Sequence, residues 1–243
     1  MGEIVMAVKA THVPSMLISE QPGPAHGCRQ AAIDAEREIG RRARERGVDT
    51  FIVFDTHWLI NAGFHINNNA VHEGHYTSHE FPHFIQDLPY HFPGNPELGR
   101  LIAEEATALG VKTRAHEVKS LDLEYGTILP MRYMNADQQF KVVSVSALCT
   151  VHNLMDSVTL GRAVRQAIEQ HYDGTVAILA SGSLSHRFAQ NGVSDQFLHK
   201  VWDPFLETVD HHVVDLWQKG DWTTFCGMLP EYAVKCHGEG MMH

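Results

Sequence analysis

The sequence predicts an α/β protein: a single-domain α/β/α sandwich with a mainly parallel central sheet and helices on both faces. Short, mainly apolar runs at residues 3–9, 50–54, 141–148 and 175–180 are too brief for globular helices. Their β-branched content reads as strands, and the 50–54 run as one buried on both faces. Longer stretches with apolar residues at helical spacing lie between them, and this alternation implies parallel strands joined by right-handed crossovers. Three of the strands are followed within a few residues by a histidine, at His12, His57 and His186. In open parallel sheets ligands sit beyond the carboxyl ends of the strands, so these imidazoles are expected to converge on one rim.

Each element follows in order. The first strand, 3–9, runs into a turn at 11–15 fixed by Pro14, and 21–27, with two prolines and two glycines, is loop. Residues 29–46 are a helix carrying Ala32, Ala35, Ile39 and Ala43 on one face, stopped by Gly47. The strand at 50–54 then breaks abruptly into Asp55, Thr56 and His57. Residues 61–92 are expected to form a short strand or hairpin and then a long irregular segment, the kind that serves as a lid or pocket wall. Asn95-Pro96-Glu97 has the cap, first-turn proline and first-turn acid of a helix start, and Gly110 ends that helix. An edge strand at 111–117 and a short helix within 122–131 follow. After the 141–148 strand come a helix at 154–170 and the 175–180 strand. A helix at 195–219 is expected to kink at Pro204, and one or two short helices fill 221–235.

Composition excludes several classes. A net charge of −10 over 243 residues, with Lys and Arg spread thinly, argues against a nucleic-acid partner, which would want a basic patch. The one dense basic run, Arg41 to Arg46, lies at a helix C-terminus, where cations offset the macrodipole. No apolar run approaches the ~18 residues of a membrane span, and the N-terminus lacks a signal-peptide pattern. The four cysteines, Cys28, Cys149, Cys226 and Cys236, form no C-x-x-C pair and read as reduced thiols of a cytoplasmic protein. A homo-oligomer is the default assembly.

The abundance of histidine, 18 in all, suggests ligands or proton carriers. His72-Glu73-Gly74-His75 lacks the spacing that puts two zinc ligands on one helix face, and Pro82 interrupts any helix through His75, His79 and His83. These are expected to be solvated loop or pocket-wall residues, and His211-His212 surface residues. Gly182-Ser183-Leu184-Ser185 is not a nucleophile elbow, and no phosphate-cradling glycine motif is present. Asp55 either caps a helix or orients a neighbouring histidine.

Four motifs occur in a fixed order: T-H-V-P-S at 11–15, F-D-T-H-W at 54–58, S-G-S-L-S-H-R at 181–187 and H-G-E-G at 237–240. On these the chain resembles the class III extradiol ring-cleaving dioxygenases over essentially its whole length. The resemblance implies a mononuclear non-haem Fe2+ held by His12, His57 and Glu239, a facial triad with open positions for a catechol and O2. His186 matches the family's acid–base histidine, which takes a phenolic proton. Tyr125, in Glu124-Tyr125-Gly126-Thr127, stands where many members carry a second acid–base histidine; a phenol is a poor base there but a capable hydrogen-bond donor. The implied substrate is 3,4-dihydroxyphenylacetate, with Arg132, Arg187 or the histidines of 65–91 as candidates for its carboxylate. Another catechol or aminophenol, a zinc-dependent hydrolase on the same histidines, and a non-catalytic subunit are the alternatives. Members usually continue past the glutamate motif, whereas this sequence stops at His243, so Glu239 is expected close to a fraying end.

Overall fold

The computed structural model describes residues 1–147, 153–189 and 200–238. Its elements are β1 (Glu3–Ala10), α1 (Ser15–Glu20), α2 (Gln30–Glu45), β2 (Thr50–Asp55), β3 (Phe64–Asn67), β4 (Val71–Tyr76), β5 (Leu88–Pro93), α3 (Pro96–Ala108), β6 (Thr113–His116), α4 (Tyr125–Met134), β7 (Lys141–Ser146), α5 (Leu154–Gln166), β8 (Thr175–Ser181), α6 (Pro204–Lys219) and α7 (Trp222–Cys236). A π-helical turn, Ala167–His171, extends α5.

Six strands form the central sheet in the order β1-β8-β2-β7-β3-β6. The four strands from β1 to β7 run parallel, as do β3 and β6, but β3 meets β7 antiparallel. The sheet is thus mainly parallel, with a reversed pair at one edge.

Alternation along β2 divides the core. Phe51 and Val53 join Val142, Ala177 and Leu179 under Ala43 of α2 and Leu129, Met131 and Met134 of α4. Ile52 and Phe54 join Val143, Val145 and Val176 under Leu98 and Ile102 of α3 and Leu160 and Val164 of α5. Every residue of β2 is buried, which is why its sequence is apolar on both faces. A separate cluster, Leu206, Val213, Leu229, Tyr232 and Cys236, holds α6 against α7, and Leu184 packs on it.

Two expectations are corrected. The region after β3 is less irregular than its composition suggests: β4 and β5 pair as an antiparallel hairpin around residues 77–87. Leu88, Tyr90 and Phe92 alternate inward, but Pro89 and Pro93 mask the strand, and a two-stranded ribbon tolerates prolines that a central strand would not. Pro204 does not kink a helix but starts one: Asp203 is the N-cap, its carboxylate accepting from the Phe205 N–H at 2.8 Å, and proline occupies the first turn. Of the 195–203 part of that expected helix, residues 195–199 lie outside the described residues and 200–203 are not helical.

Candidate metal centre and catalytic cavity

Register sets the site. Ala10 pairs with Ser181 and Ser181 with Asp55, so β1, β8 and β2 end at one level as immediate neighbours. His12 and His57 each follow two residues beyond these ends, and His186 follows five beyond Ser181. Together with Val13, Pro14, Thr56, Leu59, Glu80, Phe81, Tyr125, Ser183 and Phe188 they line one cavity of about 580 Å³. That is ample for a monocyclic ligand.

The two imidazoles meet ring edge to ring face, with Nε2 of His12 2.9 Å from Nε2 of His57. Hydrogen bonding assigns the tautomer of His12. The Ser181 hydroxyl donates to the Gly126 carbonyl. Its oxygen therefore accepts from His12 Nδ1–H at 2.8 Å, which leaves Nε2 as the lone-pair nitrogen. Nδ1 of His57 lies 3.6 Å from Oε2 of Glu80, on the side of the ring away from the shared point. Two imidazole nitrogens bound cis to one cation at ~2.1 Å would be about 3 Å apart, which the observed separation matches. The donor set therefore fits a divalent transition metal. Glu239 lies outside the described residues; among those residues no third histidine, cysteine or carboxylate completes a metal cluster.

His57 is held through its backbone. Asp55, wholly buried, accepts from the His57 N–H on Oδ1 at 2.9 Å and from the Thr127 hydroxyl on Oδ2 at 2.6 Å. No helix follows Asp55, so the capping alternative falls and the carboxylate orients the chain at His57. Gly126 permits this: a Cβ there would sit 2.2 Å from Oδ1 of Asp55.

Tyr125 opens α4 and is 2% exposed. Its ring lies 3.8 Å from the His57 ring, and its hydroxyl donates to Oε2 of Glu80 at 3.1 Å. Glu80 is thus in contact with both groups, and sequence reasoning missed it; the length of the segment between β4 and β5 was its only signal. Ser181 was hidden likewise, as a strand's last residue. Behind Tyr125, Tyr76 donates to Glu124 at 2.7 Å, and burial raises both groups above their usual range.

His186 lines the cavity from the segment after β8. Its backbone N–H donates to the Cys236 carbonyl at 2.9 Å. The candidates for a substrate carboxylate do not reach this cavity. Arg132 pairs with Glu20 at 3.0 Å, and Arg187 lines an adjoining cavity of about 900 Å³. The histidines of 65–91 turn elsewhere: His65 to His116, His72 to the Val142 carbonyl, His75 to Asp87 and His91 to Gln138. His75, His79, His83, His211 and His212 are exposed, whereas His72, expected in a solvated loop or pocket wall, is buried within β4.

Comparison with known proteins gives a consistent picture. Residues 6–243 match the family model described as the catalytic LigB subunit of aromatic ring-opening dioxygenase. The chain is 58% identical over 243 residues to a 3,4-dihydroxyphenylacetate 2,3-dioxygenase of Escherichia coli, covering all of this chain (100%) and 88% of that protein. It is 25% identical over 251 aligned positions to the 2-aminophenol 1,6-dioxygenase beta subunit of a Pseudomonas species, covering 98% of this chain and 82% of the relative.

Proposed function

Because the chain belongs to the family of catalytic LigB subunits of aromatic ring-opening dioxygenases and catalyses extradiol ring cleavage, we propose that its substrate is 3,4-dihydroxyphenylacetate. The product is then 5-carboxymethyl-2-hydroxymuconate semialdehyde. The observation that carries the proposal for the site is the convergence of His12 and His57, Nε2 to Nε2 at 2.9 Å, beyond the ends of β1 and β2, the two strands that flank β8. The family uses a metal; the proposed ion is Fe2+, held by His12, His57 and Glu239. When bound, ferrous iron supplies open coordination positions for both catechol oxygens and O2, and a path for electrons from ring to oxygen.

The chain's own residues do the rest. Ser181 fixes the His12 tautomer, and Asp55 aims His57. His186, across the cavity, accepts a phenolic proton from the catechol and later returns it. The Tyr125 hydroxyl, which donates to Glu80 in this structure, turns its single O–H to a substrate oxygen when the catechol binds, rather than shuttling protons. Leu59, Phe81 and Phe188 offer apolar surface to the aromatic ring. A homo-oligomer is the proposed assembly, the default for soluble enzymes. The proposed compartment is the cytoplasm, supported by three described cysteines that stand as thiols, Cys28, Cys226 and Cys236.

The test is to load the metal-free protein anaerobically with Fe2+, add 3,4-dihydroxyphenylacetate and admit air. One O2 should be consumed per yellow product, with 2-aminophenol turned over more slowly. An iron-loaded, folded protein that consumes no O2 with any catechol overturns the reading.

A further inference from the structure

His186 sits on a stretch without regular secondary structure, residues 182–189, yet must present its ring accurately to the cavity. Three consecutive residues of that stretch are fastened to the α6–α7 side of the molecule. The Ser185 N–H and hydroxyl donate to the two carboxylate oxygens of Asp210, at 3.1 and 2.6 Å. The His186 N–H donates to the Cys236 carbonyl at 2.9 Å. The Arg187 carbonyl accepts from the Trp202 indole at 2.7 Å. Tyr232 of α7 donates to the same Asp210 carboxylate at 2.7 Å, so one side chain of α6 ties α7 to the loop. Leu184 packs against the α6–α7 cluster.

We infer that Asp210 is a positioning residue for the ring-opening reaction: its forked grip on Ser185 sets the place of His186. It touches no substrate and acts only through its neighbour. Charge-assisted bonds to both donors of one residue fix direction as well as distance, which a single contact could not do. Misplacement of a reacting group by ~1 Å costs on the order of 100-fold in rate. The inference rests on the reading of His186 as the proton acceptor.

The test uses the full-length, iron-loaded protein. Asp210→Ala should lower kcat roughly 10–100-fold with KM for the catechol and metal content unchanged. Asp210→Asn, which keeps the acceptor for the Ser185 N–H, should recover most of the loss. A substrate whose phenol is already ionised needs no base, so with a nitro-substituted catechol the ratio of wild-type to Asp210→Ala kcat should shrink. A general structural lesion would leave that ratio constant. In the metal-free protein, amide hydrogen exchange at Ser185 and His186 should accelerate about tenfold or more in Asp210→Ala. Should that variant fail to fold, Ser185→Ala, which deletes one oxygen, is expected to show the same pattern at about 3–10-fold.

Wild-type kcat in the folded Asp210→Ala variant, or loss of kcat in step with loss of metal, overturns the inference. His186→Ala is measured alongside. If it retains full turnover, the reading of His186 falls; if it is inactive while Asp210→Ala is not, the positioning role alone falls.

Discussion

His12 and His57 stand nitrogen to nitrogen, Nε2 to Nε2 at 2.9 Å, although 45 residues separate them in the chain. Each ring turns its other nitrogen toward a partner, Ser181 for His12 and Glu80 for His57. Two lone pairs aimed at one point repel unless a cation or a shared proton lies between them. His12→Ala and His57→Ala are therefore each expected to abolish stoichiometric Fe2+ binding while leaving the fold intact, as read by metal analysis beside far-ultraviolet circular dichroism.

Ser181→Ala removes the oxygen that accepts from His12 Nδ1–H and frees the ring to change tautomer. Outer partners of this kind typically contribute 10–100-fold to metal affinity. A comparable rise in the Fe2+ dissociation constant is expected, by competition with a chelator. An unchanged constant would remove Ser181 from the site.

Gly126→Ala places a methyl group 2.2 Å from Oδ1 of a buried carboxylate. Asp55 cannot retreat without releasing the His57 N–H and the Thr127 hydroxyl. The substitution should cost about 1–3 kcal/mol in denaturant unfolding and weaken Fe2+ binding together. Lost stability with intact affinity would show that Asp55 is not what aims His57.

Tyr125→Phe keeps the ring beside His57 and deletes the hydroxyl that reaches Glu80. Loss of one neutral hydrogen bond made in the transition state predicts a fall of roughly 3–10-fold in kcat. Steady-state turnover equal to wild type would exclude the hydroxyl from the chemistry.

Glu36 on α2 is 2% exposed, and its two carboxylate oxygens are without a hydrogen-bond partner. Burial pushes its carboxyl from 4.5 to about 9, so at neutral pH it is protonated in the folded protein and ionised in the unfolded chain. The folded state then binds the extra proton, and stability falls as pH rises from about 4.5 toward about 9. Glu36→Gln should flatten that slope, adding on the order of 2–4 kcal/mol at pH 8 relative to wild type and little at pH 4. Urea unfolding at both pH values measures it.

What was legible in the sequence followed from uniform environments. β2 is buried on both faces, so its apolar run needs no partner to be recognised. The N-cap at Asn95 and the proline after it announce α3 by local chemistry alone. The strands β4 and β5 were obscured because a buried His72, a glycine and two prolines break the alternation that Tyr76, Leu88, Tyr90 and Phe92 otherwise show. Pro204 was ambiguous because proline both ends and begins helices, and only the Asp203 cap distinguishes the two. In the site, His12, His57, Tyr125 and His186 could be named because motifs carry them. Glu80 and Asp210 lie in no motif, and Ser181, although it opens the 181–187 motif, carries no mark of its role, because each matters only through a contact made across more than 20 residues. Glu239 lies outside the described residues.

The pairing of β1 with β8 has a kinetic consequence. Glu3 meets Thr175 and Ala10 meets Ser181, so that ladder joins segments more than 160 residues apart. Closing so long a loop costs chain entropy before any bond repays it, and such contacts form late in folding. His12 finds Ser181 only when this ladder closes. A refolding chain should therefore gain its helices and the β4–β5 hairpin first and its affinity for Fe2+ last, so that metal uptake in a stopped-flow experiment would time the completion of the topology.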